Sequence, residues 1–150
     1  INDRLKQLNI VLPPAPAPAA NYVPYVKSNK LIFVSGQIPM LNGELVTGKL
    51  GKNIEIEDAK TAARLCGLAI VSQLNEATDL DLDKIKRIVK LGGFVNCIDE
   101  FTQQPEIING ASDLMVEVFG DKGKHSRFAV GTNSLPRNVV VEIEAVAEIQ

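Results

Sequence analysis

The stretch "KHSRFAVGTNSLPRNVVVEIEA", residues 124–145, decides how this chain folds. Residues 126–131 form a short β-rich run, "NSLPRN" at 133–138 has turn composition, and a second β-rich run continues to the end of the chain. Two strands are expected, 126–131 and 139–149. A period of two puts Glu142 and Glu144 on one face of the second strand and Val141, Ile143 and Ala145 on the other. The apolar face calls for a cover, and the opposite face carries neighbouring carboxylates. The only histidine, His125, stands two residues ahead of Arg127.

Working outward, two segments can supply the cover. Residues 56–76 place Ala59, Ala62, Ala63, Cys66, Ile70 and Leu74 on a broad apolar face with acids in the first turn, which predicts a helix. A second helix is expected from near Pro105 to Gly120, since proline suits a first turn and glycine a C-terminal cap. A charged loop should link Gly120 to His125. "DKIKRIVKLGGFVNC", 83–97, reads as a strand with a glycine-softened middle, and "YVPYVKSNKLIFVSGQIP", 22–39, as a hairpin turning at "SNK". Ser35, Gly36 and Gln37 close its second strand. Residues 1–21 read as a short helix and then an extended arm, because prolines 13, 14, 16 and 18 forbid a continuing helix. A strap lying across the domain surface is the expectation for this arm.

Strands with two amphipathic helices and no regular βαβ alternation indicate a single α+β domain over 1–150, with a mixed sheet and both helices on one face. No third large helix exists to cover the other face. Subunits are therefore expected to pack sheet to sheet around a symmetry axis.

Composition narrows the chemistry. With 45% hydrophobic and 23% charged residues the chain is ordinarily globular. A net charge of -2 and 5% aromatics offer little to phosphate backbones or bases, so nucleic acid is not an expected partner. No stretch approaches the length of a membrane span, and "INDRLKQLNIV" lacks the order of a signal peptide, which predicts a cytoplasmic protein without a membrane partner. Cys66 and Cys97 have no C-x-x-C spacing or neighbouring histidine, so both are expected as buried thiols and no metal site is expected.

Arg127 and the two glutamates are the candidates for function. Charged residues on strands mostly face solvent, and that reading would suffice for each alone. The planar fork of an arginine is, however, the side chain best suited to grip a small carboxylate through two parallel hydrogen bonds. His125 is expected as a solvent-exposed loop histidine.

Together, "YVPYVKSNKLIFVSGQIP", "SRFAVGTNSLP" and "VVVEIEAVAEI" resemble the signatures of the reactive intermediate deaminase family (RidA, also called YjgF, and described as endoribonuclease L-PSP-like), from about residue 12 to the C-terminus. The resemblance implies a chorismate-mutase-like α+β fold and a homotrimer whose sheets form a central barrel with clefts between subunits. It implies hydrolysis of 2-imino acids to 2-oxo acids and ammonia, with no cofactor. By motif, the family's arginine falls on Arg127 and its glutamate on Glu142, as catalytic residues. Its substrate-binding positions fall on Tyr25, Ser35, Gly36, Ser112, Ala129 and Pro136. Two of these depart from the family pattern: Ala129 stands where shorter members have cysteine, and Ser112 where they have asparagine.

Two functions follow from this set. In the first, a deaminase, Arg127 holds the carboxylate of an imino acid while Glu142 orients or deprotonates a water. In the second, a non-catalytic trimer binds 2-oxo acids or related carboxylates. A ribonuclease reading fits poorly, since one histidine and an acidic surface offer neither an acid–base pair nor phosphate attraction.

Overall fold

The last strand of the chain is the centre of its sheet. In the computed structural model, which describes residues 1–150, β7 (Val141–Ile149) lies between β2 (Leu31–Gln37) and β5 (Ile85–Asn96) and runs antiparallel to both. β1 (Tyr25–Ser28) pairs with β2, and β6 (Ser126–Thr132) pairs in parallel with β5. The order is β1-β2-β7-β5-β6, a mixed five-stranded sheet. A small hairpin, β3 (Met40–Leu41) and β4 (Glu44–Leu45), turns at Asn42 and Gly43, which both take positive φ.

Two helices, α2 (Ile56–Ala77) and α3 (Gln104–Phe119), cover one face of this sheet and pack on each other. The boundaries lie within a residue of those the periodicity predicts. β5 and β6 are parallel because the chain crosses back through α3 between them, and a parallel pair needs such a crossover. Alternation along β7 does what its sequence requires: Val141, Ile143, Ala145 and Ala147 are buried beneath the helices. They join Ile70 and Leu74 of α2 and Ile107, Leu114 and Met115 of α3 in a single cluster.

The glycine pair in β5 does not soften the strand, which runs unbroken through it. Instead the two glycines admit neighbours from opposite sides. A Cβ on Gly93 would stand 2.6 Å from Ile108 Cδ1 of α3, and one on Gly92 would stand 2.6 Å from the Phe128 ring on the other face. The helices meet across small residues as well, with Gly110 of α3 directly against the Lys60 carbonyl of α2.

Helix α1 (Asn2–Gln7) buries Leu5, and Arg4 Nε donates to the Glu117 carbonyl at 2.8 Å. The proline arm after it crosses α2 as a strap. Ser72 Oγ donates to the Pro13 carbonyl at 2.9 Å and Gln73 Nε2 to the Pro16 carbonyl at 2.8 Å, both from the buried side of the helix. The charged loop before His125 is one 3-10 turn, Gly120–Gly123. No helix is long and apolar enough to cross a membrane.

The face of the sheet away from the helices is bare. It presents Val26, Phe33, Phe94 and Val130, all exposed, together with Glu142 and Glu144. Phe94 and Phe128 meet edge to face at 5.3 Å, with Lys90 Nζ 5.2 Å from the Phe128 centroid.

The glycine contacts lead to a comparison of two variants. Gly110→Ala drives a methyl into backbone that cannot yield, and should destabilise the fold by about 2 kcal/mol or more. Gly93→Ala meets side-chain atoms of Ile108 rather than backbone and should cost less. Urea unfolding of both checks the order.

Candidate functional site

Strand register places the two charged candidates on opposite sides of the sheet. Arg127 pairs with Leu91, which pairs with Ala145, so Arg127 points to the helix-covered side of β6. Glu142 pairs with Phe94 and lies on the bare side of β7, with β5 between the two strands. One chain does not bring Arg127 and Glu142 together.

Around Arg127 a chain of hydrogen bonds links β6, α3 and the loop before it. Nη1 donates to Ser112 Oγ at 3.1 Å and Nη2 to the Pro105 carbonyl at 3.3 Å. Ser112 Oγ also meets His125 Nε2 at 2.9 Å, and His125 Nδ1 meets the Gly123 carbonyl at 2.6 Å. The carbonyl can only accept, so Nδ1 carries the proton. A ring protonated on Nδ1 alone leaves Nε2 to accept from the Ser112 hydroxyl, while that oxygen accepts from Arg127. Each of these four contacts then pairs one donor with one acceptor. His125 is thus half-buried and bonded to α3 rather than a solvent-exposed loop residue, because the Gly120–Gly123 turn folds it back onto the helix. Ala129 lies on the same face two residues beyond Arg127 and adds no polar atom.

The second group gathers around Glu142. Its carboxylate lies over Gly36, where a Cβ would overlap it. Gly36 can occupy this place because β2 bulges between Val34 and Gln37. Burial first, and the Glu144 carboxylate second, push the Glu142 carboxyl above its ordinary value. Glu142, Gly36 and Pro136 line a cavity of about 570 Å³. Ser35 is next to Gly36 but directs its hydroxyl to the Val23 carbonyl at 2.8 Å, which pins the end of the arm. Tyr25 is half-buried against the edge of the core.

The eight residues read from the sequence therefore fall into two clusters: Arg127, Ser112 and Ala129 beside α3, and Glu142, Gly36 and Pro136 around the cavity, with Ser35 and Tyr25 on the scaffold beside them. Most of the cavity lining, Arg137, Pro16 and Tyr22 included, had not been singled out as site residues. Arg137 takes φ 56, a left-handed conformation that nothing in the identity of an arginine signals. The arm residues carried only the signal of a strap.

No group of three or more His, Cys, Asp or Glu side chains stands close enough to hold a metal ion. Cys66 and Cys97 are buried free thiols. Burial, aided by the Glu142 charge, pushes the Cys66 thiol well above its ordinary range.

The raised Glu142 carboxyl fixes a sign. The unfolded chain releases this proton at lower pH than the folded one, so the contribution to stability is fully present below the ordinary carboxylate range and is lost as pH rises through the folded value. Glu142→Gln should therefore be more stable than wild type near pH 7 and lose that advantage at about pH 3, as followed by urea midpoints across the range.

Comparison with known proteins fits this architecture. The family described as "YjgF/chorismate_mutase-like, putative endoribonuclease" matches residues 2–149. Protein TCP17 of Trypanosoma cruzi is 47% identical over 147 residues, covering 97% of this chain and 91% of that protein. The crystal structure of Atu1372 from Agrobacterium tumefaciens, a protein of unknown function, is also 47% identical, with a TM-score of 0.91 over 99% of this chain and 91% of that one. Escherichia coli TdcF, solved with bound serine, is 25% identical with a TM-score of 0.62, covering 91% of this chain and 94% of its own. A mixed sheet with its last strand at the centre, two helices on one face and a match from residue 2 to residue 149 place the chain in the YjgF/RidA-like family.

Proposed function

We propose that three copies of this chain pack bare face to bare face as a homotrimer, and that each cleft between subunits hydrolyses a 2-imino acid to a 2-oxo acid and ammonia. The observation that carries this reading is the division of the candidate residues. A carboxylate in a cavity on one face and an arginine cluster on the other are each half of a site, and a second copy is the simplest means of joining them. The exposed Val26, Phe33, Phe94 and Val130 give the contact an apolar centre. That TdcF, a similar protein, holds serine fits a small ligand bearing a carboxylate.

In the joined cleft, the partner subunit's Arg127 grips the substrate carboxylate and sets the imine carbon beside Glu142. Water adds to the C=N carbon as Glu142 takes its proton. The same proton passes to nitrogen and gives a carbinolamine; Glu142 then takes the hydroxyl proton and delivers it to the amine nitrogen as the C–N bond breaks, so that ammonia leaves and the hydroxyl oxygen becomes the ketone of the 2-oxo acid. A carboxyl raised above its ordinary value suits both halves of this shuttle better than a strongly acidic one would. The reaction changes no oxidation state and requires no cofactor.

A second reading is a trimer that binds 2-oxo acids without turnover. Its support is the altered surroundings of the arginine, where Ala129 offers no polar group and Ser112 is already bonded to His125.

Wild type should sediment as a trimer at micromolar concentration, and Phe94→Glu, which puts a charge on the bare face, should shift it to monomer with unchanged circular dichroism. A monomeric wild type would remove the cleft. In a coupled assay generating 2-iminobutanoate, Arg127→Ala should lower kcat/KM by about 2 to 5 kcal/mol, and Arg127→Lys should not rescue it. Glu142→Gln should slow turnover by about 10² to 10⁴ while 2-oxobutanoate affinity by calorimetry stays within a few-fold. Oxo-acid binding that depends on Arg127 without turnover in wild type would favour the second reading.

A further inference from the structure

In one chain the cavity beside Glu142 measures about 570 Å³ and runs from the Glu142 and Gly36 end to the arm, farther than a three- or four-carbon acid reaches. Its far end is bounded by the arm. Pro16, Pro18, Tyr22 and Pro24 form one wall, and Met40 and Leu45 of the small hairpin face the same space. This wall offers few hydrogen bonds. Prolines carry no N–H, and the Tyr22 hydroxyl, which accepts from the Ala19 N–H at 3.4 Å, is the one side-chain donor among these four arm residues. Gln37, at the same cavity, directs its amide to the Ser35 carbonyl at 2.8 Å.

The wall is also built to stay in place. Gln73 is 1% exposed and Ser72 3% exposed; Gln73 Nε2 donates to the Pro16 carbonyl, and the Ser72 hydroxyl is shared between the Pro13 carbonyl and the Leu68 carbonyl of its own helix. Buried polar side chains need hydrogen-bond partners, and here carbonyls of the arm serve. Proline further limits the backbone freedom of the arm, so little ordering remains to be done when a ligand arrives.

Resting on the reading of this cavity as half of a 2-imino acid site, we infer that the arm is the specificity wall for the substrate side chain, and that the substrates are 2-imino acids with branched aliphatic or aromatic side chains rather than the smallest members of the class. The carboxylate and imine occupy the Glu142 and Gly36 end, where the polar groups are. The side chain lies along Pro16, Pro18 and Tyr22. Arg137, at the cavity but exposed, can turn outward and does not require an acidic side chain.

Binding of the corresponding 2-oxo acids to the assembled full-length chain tests this by calorimetry. Wild type should bind 2-oxo-4-methylpentanoate about 10-fold more tightly than 2-oxobutanoate, as expected for two further buried carbons, and 2-oxoglutarate no more tightly than 2-oxobutanoate. The Ser72→Ala/Gln73→Ala pair, which releases the arm, should reduce the preference to below about 3-fold. Tyr22→Ala, a change at an exposed residue outside the core, should do the same if the double variant fails to fold. Equal affinity for short and branched acids, or an unchanged preference in both folded variants, overturns the specificity wall and leaves the 2-imino acid site standing. Tightest binding of 2-oxoglutarate overturns it in favour of Arg137 as the side-chain contact. No binding of any oxo acid by the assembled wild type overturns the site itself and the wall with it.

Discussion

Everything in this molecule is referred to the alternation along β7. One strand, paired on both sides, must be apolar on every residue that faces α2 and α3, and is free to carry charge on every residue that does not. A slip of one residue would drive Glu142 and Glu144 into the helices and turn Val141 and Ile143 outward, so register is strongly specified. The same alternation therefore sets both the core and the position of the carboxylate on which the proposed chemistry rests.

The bare face combines two features that are awkward in isolation. Large apolar residues stand exposed there, and two carboxylates are close enough that one raises the proton affinity of the other. Neither favours an isolated subunit. Both make sense if a cleft forms over this face, because exclusion of water strengthens the charges that remain and the apolar residues gain a contact. On the helix side, Arg127 is held at the edge strand of the sheet by Ser112 of α3 and the Pro105 carbonyl.

The fold was legible in the sequence wherever periodicity carried it. α2, α3 and β7 are long and strongly patterned, and their limits differ from the expected ones by a residue or two. The glycines of β5 misled in a particular way: Gly92 and Gly93 suggest weakness when read along the strand, but their function is across it, where Phe128 and Ile108 approach. Site residues were legible one by one and not as an arrangement. Resemblance could name Arg127 and Glu142, but their separation to opposite faces depends on strand order, which no local pattern encodes. His125 was misread for a similar reason, since a short 3-10 turn and a serine on another element give it partners. Arg137 was not signalled at all, because its left-handed backbone is imposed by the turn rather than chosen by its side chain.

The seat of the Glu142 carboxylate on Gly36 has an evolutionary consequence. The space a side chain at position 36 would fill is taken by the Glu142 carboxylate, so changes at the two positions are linked. A lineage that gains a methyl at 36 must shorten the acid at 142 or swing its carboxylate to a new place. Once the acid is lost, the glycine is released from constraint. Descendants that lost the acid should carry that history as paired changes at these two positions, in a strand and its neighbour more than 100 residues apart in the chain.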